Sequence, residues 1–275
     1  MSLTAVLENQ ANAEVKNNYQ KIKEALEIAY LPLFFTYIGG FPEYLSYLTD
    51  QISPNLNSSK FEDLIRETEE RIFYLIKTSL IKSDEMDTWV NRYRNSPSFY
   101  NFQKDLKKIF TVNLKLALIF VALREALKGW AIAAKKLSPK INSDKSETPS
   151  DRDKDFIFED ALSLVAISSK QNSDLEESKA REIEKDLLPR YIVLCKQEYH
   201  QLMKSEKYLI LRVGIEKVML STLPLLPEKI VSPINVFYDL TEKYEDFPEL
   251  LYLMYEHLPT LAVQKMIFSG FMKIQ

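Results

Sequence analysis

Glycine is scarce in this chain. Among 275 residues there are five, at positions 39, 40, 129, 214 and 270, where average usage of ~7% would give about nineteen. Tight hairpins and phosphate-cradling loops need glycines at set places. No GxGxxG or GxxxxGK[ST] pattern occurs, so the usual nucleotide-binding fingerprints are excluded. There is one cysteine, Cys195. That excludes an intrachain disulfide framework, a cysteine-rich zinc site and a Cys-x-x-Cys redox pair. The charge is not one-sided either: 36 basic residues stand against 39 acidic ones, a net charge of −3, which gives no reason to expect a polyanion partner. Long apolar runs are also absent. The longest, Leu114 to Leu123, is interrupted by Lys115 and closed by Arg124. It is too short to span a bilayer. With no secretory pattern visible and the first apolar run beginning near Ile28, the expected location is cytoplasmic.

What is abundant is helix-forming sequence. The chain is 46% hydrophobic and 27% charged, enough for a real core and a wet surface. In 60–81, Phe61, Leu64, Ile65, Thr68, Ile72, Leu75, Ile76 and Leu80 recur at three- and four-residue steps, the period of an amphipathic helix. Ser59 with Glu62 reads as a capping box at its start. The run from Asn113 to Leu127 is apolar nearly all round, as expected of a central helix. Asn113 opens that run, where an N-cap is its ordinary role.

The segment SPKINSDKSETPSDRDK (138–154) is polar, has two prolines and lacks a hydrophobic period, which reads as a linker. The two sides resemble each other. Residues 42–70 align without gaps to 189–217, pairing Pro42 with Pro189, Tyr44 with Tyr191, Ser58 with Ser205, Lys60 with Lys207, Leu64 with Leu211 and Glu69 with Glu216. A weaker match pairs 113–120 with 247–254. The expectation is an all-α fold of two tandem diverged helical repeats, 1–137 and 156–275, joined by a linker at 138–155 and packed as an intrachain pseudo-dimer. Such packing buries the apolar faces together and leaves a cleft at the junction.

The stretch YQKIKEALEIAYLPLFFTYIGGFPEYLSYL (19–48), the helix VNLKLALIFVALREAL (112–127) and the later LPRYI (188–192) and SEKYL (205–209) resemble, in that order, motifs of the group I 2-haloacid dehalogenases. That family acts on both D- and L-2-haloacids. The resemblance implies an all-helical, cofactor-free pseudo-dimer with its active site between the repeats. It implies a hydrolytic reaction, in which an aspartate activates water and an asparagine holds it. Asn113 matches the asparagine, although Asn-Pro-Lys has become Asn-Leu-Lys. Tyr30 and Leu33 fall where the family lines its pocket, and Leu116 follows one turn after Asn113. The aspartate is missing: eight residues before Pro189 stands Arg181, which cannot act as a base at neutral pH. Either the alignment slips and one of Glu177, Glu182, Glu184 or Asp186 serves, or the hydrolytic chemistry is lost and Arg181 sits on a solvated face or binds a carboxylate.

The partner implied is a small organic acid or apolar small molecule, with no cofactor, metal, nucleic acid or membrane; a homo-oligomer is left open. If the chemistry is retained, the chain is a hydrolase of carbon–halogen bonds. The alternative is a non-catalytic protein that binds a small ligand or, through LAVQKMIFSGFMKI (261–274), a partner helix. Cys195 reads as a buried thiol, and His200 and His257 as edge histidines.

Overall fold

The computed structural model describes the backbone of residues 3–137 and 180–273, and the side chains of 3–128 and 187–273 apart from that of Ile234. The linker expected at 138–155 and Glu177 lie outside the described residues, as do the side chains of Arg181, Glu182, Glu184 and Asp186. Every regular element among the described residues is helical, so the chain is all-α. No helix among them is long and apolar enough to cross a membrane.

The first helices are α1 (Ala13–Leu26), α2 (Leu33–Ile38), α3 (Pro42–Leu56), α4 (Ser59–Ser79) and α5 (Asp84–Tyr93). The long α6 (Pro97–Leu137) follows, and α7 (Ala180–Leu202) and α8 (Glu206–Thr222) come next. After a 3-10 turn at Leu223–Leu225, α9 (Ile234–Lys243), α10 (Phe247–Glu256) and α11 (Leu258–Met272) complete the order.

The axis of the molecule is α6, whose 41 residues give it a length of about 60 Å. It starts with a proline at its first position, where the missing N–H costs nothing. Residues Asn113 to Leu123 are all buried without a break, because α10 and α11 lie along the helix and α4 and α7 cover other sides. The central helix is therefore where the sequence expects it, but it begins much earlier. Asn113 is not an N-cap: it sits well inside α6. Residues 97–108 supply its first turns, and Phe99, Phe102 and Leu106 turn inward at helical steps.

Helix α11 is also a core element. Ala262 to Met272 are buried without a break, Gln264, Lys265 and Ser269 included. Of the segment 261–274 expected to dock a partner helix, residues 262–272 are thus already packed inside the fold. Its approach to the neighbours is close at Gly270, where an added Cβ would stand 2.7 Å from Ile76 Cδ1 and 2.9 Å from Phe110 Cε2.

Helix α4 buries Phe61, Ile65, Thr68, Ile72 and Ile76, with Leu64 and Leu75 half-buried, as its period predicts. Its N-cap is Ser58 rather than Ser59, and Ser58 makes no side-chain cap bond. Glu62 does not close a capping box; its carboxylate pairs with Lys115 of α6. In the matching position Ser205 caps α8, its Oγ accepting from the Tyr208 N–H at 3.2 Å. Phe61 and Tyr208, paired in the alignment, are both buried, and α4 packs against α8. The prolines differ in setting: Pro42 begins α3, whereas α7 runs through Pro189.

The tyrosines that follow these prolines each pack on rings from the other half of the chain. Tyr44 packs edge-on to Phe237 at 5.6 Å and Phe247 at 5.2 Å, rings from the second half of the chain. Tyr191 stacks on Trp89 at 5.3 Å and meets Phe99 edge-on at 4.9 Å, rings from the first half. Its hydroxyl donates to the Met272 carbonyl at 2.5 Å. Edge-to-face pairs of this kind add about 0.5–1.5 kcal/mol each beyond area burial.

Candidate functional site

Three elements meet around Phe34: the middle of α6, the start of α2 and the middle of α11. On α6, Asn113, Leu116, Ala117 and Phe120 follow one another at steps of three and four and so form one stripe. All four are buried. Phe120 meets Phe34 of α2, with ring centroids 4.9 Å apart, and Phe35 at 5.9 Å. From α11, Lys265 sets its ammonium 4.5 Å from the Phe34 ring centroid. An ammonium over a desolvated ring face gains ~2 kcal/mol.

The polar atoms at the centre are unusual for so dry a place. Asn113 is 2% exposed, and its Nδ2 has no hydrogen-bond partner among the described residues. An unsatisfied buried donor costs about 1–3 kcal/mol, so each one in a native fold calls for an explanation such as a ligand or a water. Gln264 of α11, the helix packed along α6, likewise has an Oε1 without a partner among the described residues. Lys265 is 2% exposed. The other buried lysine of the core, Lys115 of α6, pairs with Glu62.

Asn113 and Leu116 are thus brought together on the buried stripe. Leu33 is half-buried at the first position of α2. Tyr30 lies in the link before α2 and keeps 43% of its surface exposed; the rings that α2 sends inward are Phe34 and Phe35. Arg181 falls in the first turn of α7, and its side chain is outside the described residues, as are those of the four candidate base carboxylates, Glu177, Glu182, Glu184 and Asp186. Cys195 is buried, and burial pushes its thiol up to about 12. A thiol held protonated in this way is no nucleophile at neutral pH.

Three buried residues of α2 and α11 escape sequence reasoning. Phe34 reads as ordinary core. Gln264 and Lys265 interrupt the apolar run LAVQKMIF, and that interruption is the signal, but period alone does not tell whether a lysine points out or in.

Chemically, this part of the core holds an amide N–H donor on α6 and, about two turns along that helix, an ammonium from α11 over Phe34, both among aromatic and aliphatic side chains. Groups of these kinds can bind a small anion carrying an apolar group. No protein-family model and no curated protein matches the chain. Solved structures do. A D-2-haloacid dehalogenase mutant in complex with D-2-CPA superposes with a TM-score of 0.65 at 14% identity, covering 98% of this chain and 94% of that one. The complex of a D-2-haloacid dehalogenase with L-LA gives 0.65 and 14% over 98% and 95% of the two chains. A further mutant structure gives 0.66 and 15% over 98% and 95%. The chain has a D-2-haloacid dehalogenase-like fold. The likeness runs over nearly the whole length, so the dehalogenase-like architecture includes α6 and α11, which carry the buried polar face.

Proposed function

We propose that the chain is a diverged relative of the cofactor-free group I 2-haloacid dehalogenases and holds a small organic acid between two helical repeats, 1–137 and 156–275. The observation that carries the reading is the buried Asn113 amide, whose Nδ2 lacks a partner among the described residues in a fold shared with D-2-haloacid dehalogenases. In this reading Asn113 donates to the bound acid or to a water beside it. Leu116, Leu33 and Tyr30 contribute to the walls, and Arg181 or Lys265 provides the cation for the carboxylate. The reciprocal nests around Tyr44 and Tyr191 support a pseudo-two-fold arrangement of the repeats. A cytoplasmic protein, with self-association open, goes with this reading.

Binding is the part these residues support. Hydrolysis of a carbon–halogen bond needs, in addition, a carboxylate from 174–186 to take the water's proton, and the family's aspartate position is occupied by Arg181. Two measurements separate the versions. Titration calorimetry with D- and L-2-chloropropionate is expected to detect binding, weakened about tenfold by Asn113→Ala, the loss of roughly one hydrogen bond to a charged group. Halide release from the same compounds tests hydrolysis. Binding without halide release leaves a non-catalytic acid-binding protein. No binding, or binding indifferent to Asn113→Ala, sinks the proposal.

A further inference from the structure

A separate cleft of about 370 Å³ opens where the end of α4, the loop to α5, α5 itself and the end of α11 converge. It shares none of the residues of the Asn113 face. Four cations line it, Lys77, Lys82, Arg94 and Lys273, against one carboxylate, Asp87. The lining is thus mostly cationic, although Glu69 stands beside Lys273 and Glu198 acts on Lys82 from outside it. Its floor is apolar: Phe73, Ile76 and Leu80 from α4 and its end, Val90 from α5, Phe271 from α11.

Two of the cations are drawn into the wall. Lys82 donates to the Lys273 carbonyl at 3.0 Å and lies 5.7 Å from the Phe271 ring centroid. An ammonium has three donors, and this bond uses one. Lys273 lies 4.1 Å from the Phe73 ring centroid, with Glu69 at 3.5 Å. Burial holds the proton affinity of both lysines below its ordinary value. Since Glu69 already stands beside Lys273, Lys82 is the one that gains more if an anion arrives. Lys77 and Arg94 stand exposed at the rim.

We propose that this cleft is a second ligand site, for a small monocarboxylate with an aromatic or branched aliphatic body. The carboxylate sits between Lys82 and Lys273, and the body lies against Phe73, Val90 and Phe271. A monoanion is favoured over a phosphate for two reasons. The floor is apolar, and α5 brings Asp87 to the lining with Asp84 and Glu85 in the same first turn, a field that repels a second negative charge. The volume is at the small end for a ligand pocket, which selects a compact body.

The test is calorimetric titration with 4-phenylbutyrate and its neutral amide. The native protein binds the acid and not the amide. Lys82→Met weakens binding about tenfold, the loss of one charge-assisted contact. The exposed pair Lys77→Ala with Arg94→Ala leaves the fold intact and weakens binding by about threefold or more, in a salt-dependent way. Asn113→Ala leaves this affinity unchanged, which separates the cleft from the central face. The proposal is overturned if the amide binds as well as the acid, if both sets of cation variants bind like the native protein, if Asn113→Ala abolishes binding, or if the native protein fails to bind the acid at about 10 mM, a concentration that detects even very weak complexes.

Discussion

Asn55 and Glu228 hold each other through both ends of one side-chain amide: Asn55 Nδ2 donates to the Glu228 carbonyl at 2.9 Å, and Asn55 Oδ1 accepts the Glu228 N–H at 3.0 Å. The asparagine is fully buried at the end of α3. Nearby, the Tyr47 hydroxyl donates to the Val231 carbonyl at 2.7 Å. The clasp thus pins the segment 228–231 to α3. Asn55→Ala removes both bonds and is expected to cost about 1–3 kcal/mol, read as a lower urea midpoint at unchanged slope. Asn55→Asp keeps the acceptor but buries a charge, so it should not rescue. An unchanged midpoint in either variant contradicts the clasp.

Gly270 permits the close contact of α11 with α4 and α6. A methyl there meets Ile76 Cδ1 and Phe110 Cε2 inside van der Waals distance. Gly270→Ala is expected to destabilise by about 1–3 kcal/mol through overpacking, despite its better helix propensity. Ile76→Val removes the Cδ1, so the double variant should be more stable than the sum of the single effects allows. Strict additivity would show that the crowding is elsewhere.

Glu43 predicts an acid dependence. Hydrogen bonds from Lys243 and Tyr244 hold its carboxyl down to about 2, from an ordinary 4.5. Because the folded value is depressed, the stabilisation is present above about 4.5 and is lost as pH falls towards 2. The carboxylate side chain is 46% exposed, so screening keeps the effect small. The native chain should unfold at a higher urea concentration than Glu43→Gln at pH 6. That gap should close between pH 4.5 and pH 2. A gap that stays constant across this window would mean that Glu43 acts through packing rather than charge.

The helices are legible in the sequence wherever one face alternates with water. Ile65, Thr68, Ile72 and Ile76 announce α4 and turn inward as expected. Boundaries are less legible. Ser58 and Ser59 are adjacent and equally good caps, and Glu62 has a choice between a local N–H and Lys115, which only the packed fold presents. The early turns of α6 are obscured by the polar residues among Phe99, Phe102 and Leu106, although the three- and four-residue spacing is present. At the candidate site, Asn113 stands out as an amide at the edge of an apolar run. Lys265 does not, because what draws a lysine inward is a ring from α2, over 200 positions earlier. Such a contact has no local signature.

The burial of α11 also sets an order of events during synthesis. Residues 247–272 cover α6, and they emerge from the ribosome after every other described helix. Until then α6 is covered only in part, Phe120 by Phe34 and Phe35 of α2, and a chain halted before residue 247 would expose the apolar strip that α10 and α11 otherwise bury, a surface of the kind that chaperones hold. Completion of the fold therefore waits on the last helices to appear.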